Sequence, residues 1–231
     1  MRIFRNKNIE IRFDARLAEC VERSVANFAK GIDFVQDLFG YEIKETEKIK
    51  ASFFVDRKEF VEHIKTLDKN ANVPEWATGC FYGGESQILI DPADEEDVNR
   101  RKYTLLHEAI HLVIQKSIYE KYRVDRIVWF DEAFAGFLDG HIENLAQKEL
   151  EDIAKRLEPI AENFDMNKLN DFSLVKTQEY DGYDMFLLIG KYMVQSGVAN
   201  TFIETIKRNS GKILEEGKKI LQKAISFIIK A

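Results

Sequence analysis

The chain has 231 residues, enough to bury an ample core as one domain or as two closely packed lobes. Its 45% hydrophobic and 32% charged residues are ordinary globular composition, and 17 Phe supply bulky core material. A net charge of −6, with no basic stripe, argues against nucleic acid as a partner. No apolar run reaches the length of a membrane span, and residues 1–10 lack the apolar stretch of a signal peptide, so no membrane association and a cytoplasmic location are expected. Cys20 and Cys80 form neither a disulfide framework nor a Cys-x-x-Cys, and both are expected as buried thiols.

In chain order, residues 3–13 alternate weakly and suit a short strand or an extended arm. From Asp14 to Phe39 apolar residues recur at intervals of three and four, which predicts a long amphipathic helix capped by Asp14 and stopped by Gly40. Ile49–Val55 has the alternation of a strand, and Asp56 caps a second helix over Arg57–Leu67. Residues 77–90 hold two strand-like runs around Gly83-Gly84, a hairpin pattern. The acidic run Asp94–Asp97 suits the positive end of a following helix, expected to run to Lys116–Ser117. After a loop through Ile118–Val128, Trp129–Gly140 reads as a buried helix. Glu143–Leu157 reads as another, ending at Glu158-Pro159. Tyr183–Gln195, Ala199–Arg208 and Gly211–Lys230 complete an all-helical second half. Its boundary with the mixed first half is expected near residue 117, giving lobes 1–117 and 118–231.

The chemistry concentrates in His107-Glu108-Ala109-Ile110-His111. Two imidazoles four apart on a helix share one face and can reach one metal ion, while Glu108 can lie beside a metal-bound water without being a ligand. Only four histidines exist, and two of them form this motif. A catalytic zinc site needs a third protein ligand. The three-His spacing is absent, since Ile114 and Ser117 occupy its places; His63 and His141 read as surface or structural residues. Glu132 is the best candidate: twenty residues separate it from His111, and it lies on an apolar helix where an unpaired carboxylate would be costly. A structural, paired Glu132 is the competing reading.

Together, His107–His111 and Trp129-Phe130-Asp131-Glu132-Ala133-Phe134-Ala135 resemble the gluzincin metallopeptidases, the peptidase MA-like group that includes the thermolysin-like and aminopeptidase N-like enzymes. In them the His-Glu-x-x-His helix is followed by one opening Asn-Glu-Ala or Asn-Glu-Gly; here Asp131 stands in the Asn place. The resemblance covers most of the chain in element order, although only these two helices are specific. It implies an α+β zincin-like fold with a small mixed sheet lobe, a helical lobe and a cleft between them. It implies one Zn2+ per chain held by His107, His111 and Glu132, with Glu108 as general base for a metal-activated water attacking a peptide bond.

The aminopeptidase N type adds a Tyr that donates to the oxyanion. Alignment on Lys191-Tyr192-Met193 puts Tyr183 in that place, with Tyr180 as the alternative and a purely structural role for both as the competing reading. The family also places a substrate-binding edge strand before the metal helix, here Gly79, Cys80, Phe81 and Tyr82. That stretch departs from the Gly-x-Met-Glu-Asn run that holds a free amino terminus, so a peptide or protein substrate is expected for an endopeptidase or a peptidase of undefined cleavage mode. Glu85 can in principle bind an amine, but nothing in the sequence requires it. The rival reading is a catalytically silent or self-inhibited zincin that binds zinc and a partner protein. Retention of Glu108 favours the enzyme.

Overall fold

Five short strands form one mixed sheet in the computed structural model, in the order β1-β2-β3-β5-β4. The structure describes every residue except 72, 74, 76, 77, 83, 141–144, 172, 173, 209, 210 and 231, and the side chains of 80–82 are likewise outside the description. Strands β1 (Arg2–Arg5) and β2 (Ile9–Phe13) pair antiparallel, a hairpin where the sequence suggested one strand or an arm. Its turn is made by Asn6, whose side-chain oxygen accepts from the backbone N–H of Asn8 and Ile9 at 2.9 and 2.8 Å. Strand β3 (Ile49–Phe54) lies parallel to β2, matching Ile9, Ile11 and Phe13 to Ile49, Ala51 and Phe53. All six are buried, so the alternation of β2 is the imprint of one covered face.

Helix α1 (Ala18–Phe39) buries the stripe Cys20, Val21, Ser24, Phe28, Ile32 and Val35 and packs against β2 and the helix at Glu95–Arg101. Asp14 caps a preceding 3-10 turn rather than α1 itself, and Gly40 ends the helix in the left-handed region at φ 62°. Cys20 is buried, and burial pushes its thiol up to about 11. Helix α2 (Arg57–Leu67), capped by Asp56 on the N–H of Glu59, covers the other face with Phe60 and Ile64 against Phe54. Strands β4 (Gly79–Tyr82) and β5 (Glu85–Leu89) form the expected antiparallel hairpin, with Gly84 at φ 78°; Gly83 lies outside the described residues. Strand β5 pairs parallel with β3, leaving β4 at the end of the sheet order.

The helix expected to run from the acidic stretch through the histidines is two helices. Asp94 caps α3 (Glu95–Arg101) through the N–H groups of Glu96 and Asp97. The chain then turns at Lys102–Tyr103 before α4 (Thr104–Ile114). Ser24, buried on α1, reaches the carbonyl of Arg101 at 3.2 Å and so receives a group that the helix end leaves over. The expected loop after residue 117 is also corrected: Gln115–Glu120 continue α4 as a π-helical segment, burying Ser117, Ile118 and Tyr119.

The chain divides into two compact units, Met1–Ala109 and Ile110–Ala231, with the division falling inside α4. In the second unit, α5 (Val128–Leu138) is buried from Trp129 through Ala135. Helix α6 (Gln147–Ala161) runs past the expected stop: Pro159 sits inside its last turn, and buried Leu157 and Ala161 hold that turn in place. The start expected at Glu143 falls on residues outside the description. Helices α7 (Gly182–Gln195), α8 (Val198–Lys207) and α9 (Ile213–Ile229) follow, with α7 against both α5 and α9. Among the described residues no helix is long and apolar enough to cross a membrane.

Helix α7 approaches α5 at Gly190, where a Cβ would collide with the carbonyl oxygen of Ala133 and with Phe137. Gly136, on α5 itself, has nothing within 4 Å of such an atom. Gly190→Ala is therefore expected to lose about 1–3 kcal/mol in urea unfolding through overpacking. Gly136→Ala should be neutral or gain up to about 1 kcal/mol from helix propensity. Equal effects at the two positions would contradict the close α5–α7 contact.

Candidate metal centre

Helix α4 buries Leu105, Leu106, Ala109, Ile110, Val113 and Ile114 and leaves His107, Glu108, His111 and Leu112 half-buried. The apolar spacing thus fixes which face carries the imidazoles. His107 and His111, one helical turn apart, stack along that face. Helix α5 contributes Glu132, which is only 8% exposed although it is a carboxylate.

The three side chains converge: one nitrogen from each imidazole and one Glu132 oxygen all lie within 4.8 Å of one another. The Nε2 of His111 is 3.5 Å from Oε1 of Glu132. Tetrahedral ligands on a zinc-sized ion, at 2.0–2.1 Å from it, sit about 3.3 Å apart, so this pair is already near ligand spacing. Two imidazoles and a carboxylate can therefore hold a metal ion here, and the donor set is chemically suited to a borderline cation.

Asp131 precedes Glu132 and is 2% exposed. Its Oδ1 accepts from the Tyr119 hydroxyl at 2.7 Å and its Oδ2 from Nε of Arg126 at 2.5 Å. Burial pushes the Asp131 carboxyl up to about 6, against the pull of the Arg126 guanidinium and of the Tyr119 hydroxyl. Burial holds the Tyr119 phenol well above its usual value, so it is a donor throughout the ordinary pH range. Oδ2 of Asp131 also lies 3.9 Å from Nδ1 of His111, and a terminal nitrogen of Arg126 lies 3.8 Å from Glu132. Tyr119 reaches this cluster from the π-helical segment, which closes with Val124 N–H bonding back to the carbonyl of Tyr119 and with Arg123 at φ 56°. Tyr119 and Arg126 were not singled out from the sequence. The available signal was Asp131 itself, a second carboxylate on an apolar helix that had to find partners.

The two candidate tyrosines differ sharply. Tyr180 is buried, donates its hydroxyl to the carbonyl of Leu174 at 2.6 Å and packs edge-on against Phe164. Tyr183 opens α7, is 54% exposed, and has its phenol raised by partial burial and by the negative charge of Glu132. In the first unit, Gly79–Tyr82 form β4. Glu85 is buried, accepts from the Ser52 hydroxyl and lies 3.6 Å from His63, a cluster that gives both residues structural partners. His141 lies outside the described residues.

Compared with known proteins, the chain matches no family model, and no curated protein matches it significantly.

If the three side chains form one site, metal-free protein should take up one zinc ion per chain in a calorimetric titration. Glu132→Ala and His111→Ala should each weaken that binding by more than the ~10–100-fold typical of an outer-shell partner. Wild-type affinity in both variants would place the ion elsewhere.

Proposed function

We propose that this protein is a zinc metallopeptidase of the gluzincin type, built on a zincin-like fold. The observation that carries the proposal is the convergence of Glu132 of α5 with His107 and His111 of α4, the helix that also bears Glu108. A structural zinc site has no use for Glu108, whereas hydrolysis needs a base beside the metal ligands. The pairing of His-Glu-x-x-His with a downstream Asp-Glu-Ala helix supports the gluzincin reading.

Zinc bound by His107, His111 and Glu132 would supply Lewis acidity toward a peptide carbonyl and make a water acidic enough to lose a proton near neutral pH. The remaining roles belong to this chain. Glu108 takes the proton of the attacking water on a carboxylate oxygen and passes it to the leaving amine nitrogen, so one carboxylate serves as base and then as acid. Tyr183 donates a hydrogen bond to the oxyanion that forms on the carbonyl. Its place in the first turn of α7, half-exposed and within the field of Glu132, supports this role. Tyr180 is the weaker choice, its hydroxyl being committed to Leu174. Strand β4, at the end of the sheet, offers its main chain to an extended peptide, a mode that gives affinity with little sequence preference. Substrates are then extended peptides or unfolded proteins cut internally.

Glu108→Gln is expected to retain zinc and to lose hydrolysis of an unfolded protein substrate by at least about 100-fold, the low end of general-base contributions. Tyr183→Phe should lower kcat more than Tyr180→Phe, whose main effect should be on stability, by about 1 kcal/mol for one hydrogen bond. Zinc-loaded wild-type protein without peptide-bond hydrolysis, or full turnover in Glu108→Gln, would overturn the proposal.

A further inference from the structure

We propose that Asp181, the last residue of a tight arch over residues 174–181, is a positioning residue that sets where the Tyr183 ring stands at the start of α7. The inference rests on the reading of Tyr183 as oxyanion donor and concerns a segment outside both helices that carry the metal ligands.

A phenol that donates to one developing oxygen has to be held to within about 0.5 Å, because such a bond weakens steeply with distance and angle. Tyr183 is more than half exposed, and its ring meets Phe186 edge-on at 5.7 Å between centroids. Side-chain packing therefore covers less than half of the residue, and the ring takes its position largely from the backbone beneath it. That backbone is fixed by a fold-back of the chain. The N–H of Thr177 bonds to the carbonyl of Tyr180 at 3.0 Å, Lys176 and Asp181 form an antiparallel bridge, and the N–H of Gly182 bonds to the carbonyl of Val175 at 2.7 Å. At the tip, the Thr177 hydroxyl oxygen accepts from the N–H groups of Glu179 and Tyr180 at 3.2 and 3.3 Å. The arch is rooted in the core by buried Val175 and by Tyr180, whose hydroxyl closes it at Leu174.

Asp181 joins this arch to the helix. Its carboxylate accepts from the N–H of Tyr183 at 3.0 Å and pairs with Nζ of Lys176 at 2.8 Å. The capped N–H belongs to Tyr183 itself, so the bond constrains the residue whose side chain is at issue. Between them, Gly182 is buried, and a Cβ there would lie 2.7 Å from the carbonyl oxygen of Val175 and 2.9 Å from the side chain of Leu169. Arch and helix start thus approach as closely as glycine permits. One residue further on, Asp184 is held by Arg156 of α6. Tyr183 is flanked on both sides by fixed residues. A cap alone would explain the bond from Asp181 to α7, since an ordinary loop can supply one. It does not explain an arch that fastens the capping residue by its backbone and its carboxylate at once.

The test uses the zinc-loaded full chain with fluorescently labelled, unfolded casein as substrate, and reads kcat and KM separately. A second reading is the nuclear Overhauser contact between the Tyr183 and Phe186 rings in protein with 13C-labelled aromatic residues. Asp181→Ala should lower kcat by up to about 100-fold, the loss a misplacement near 1 Å can cause, with KM little changed. It should also weaken the ring contact. Asp181→Asn, which still caps, should recover most of both. In a Tyr183→Phe background Asp181→Ala should lower kcat no further, because the two residues act through one hydroxyl. Gly182→Ala should act in the same direction as Asp181→Ala and serves as the test if that variant does not fold. An Asp181→Ala protein that melts earlier yet keeps kcat and the ring contact overturns the inference, as does a full additional loss in the Tyr183→Phe background. Unchanged kcat in Tyr183→Phe, or wild-type protein without hydrolysis, would instead overturn the catalytic reading. The ring contact would still decide whether Asp181 places Tyr183.

Discussion

Two adjacent carboxylates, Asp131 and Glu132, are buried on a helix that is otherwise almost wholly apolar. Removing one partner from a buried charged pair costs about 3–5 kcal/mol, so neither carboxylate can be left to itself in such surroundings. The two solve the problem differently. Asp131 is satisfied within the protein by Tyr119 and Arg126, and its neighbour faces the imidazole of His111. A centre that holds two imidazoles and a carboxylate within 4.8 Å gathers lone pairs, and a divalent cation satisfies such a gathering better than any side chain in it.

Much of the second unit can be understood as the means of keeping α5 in place. Trp129, Phe130 and Phe134 fill the space around it, with Phe202 of α8 packed on Trp129 at 5.1 Å between ring centroids. Helix α7 lies so close that only glycine fits at position 190. Rigid packing of this kind is what a ligand set requires, because a ligand displaced by a fraction of an ångström loses its share of the binding energy. The same α7 carries Tyr183 at its first turn, within the electrostatic reach of Glu132.

The parts of this arrangement that were legible in the sequence are those with a short-range period. The 3.6-residue spacing of α1 and the alternation of β3 announced themselves, as did the His107–His111 pair, whose geometry is dictated by a single helical turn. Features that depend on distant partners were hidden. The β1–β2 hairpin rests on one asparagine turn, and the break between α3 and α4 is received by Ser24, more than seventy residues away. Pro159 was read as a stop because the packing of Leu157 and Ala161 that overrides it is tertiary. The π-helical segment has no sequence signature of its own, so Tyr119 and Arg126 could not be connected to Asp131 before the fold was known.

The account stands or falls on what surrounds the ion. Zinc X-ray absorption on loaded protein is the most direct probe, since it reads ligand type and distance without assuming an activity. The account predicts only nitrogen and oxygen scatterers at about 2.0–2.2 Å, with the multiple-scattering pattern of two imidazoles. A sulfur scatterer at about 2.3 Å, drawn from Cys20 or Cys80, or a pattern with a single imidazole, would contradict it.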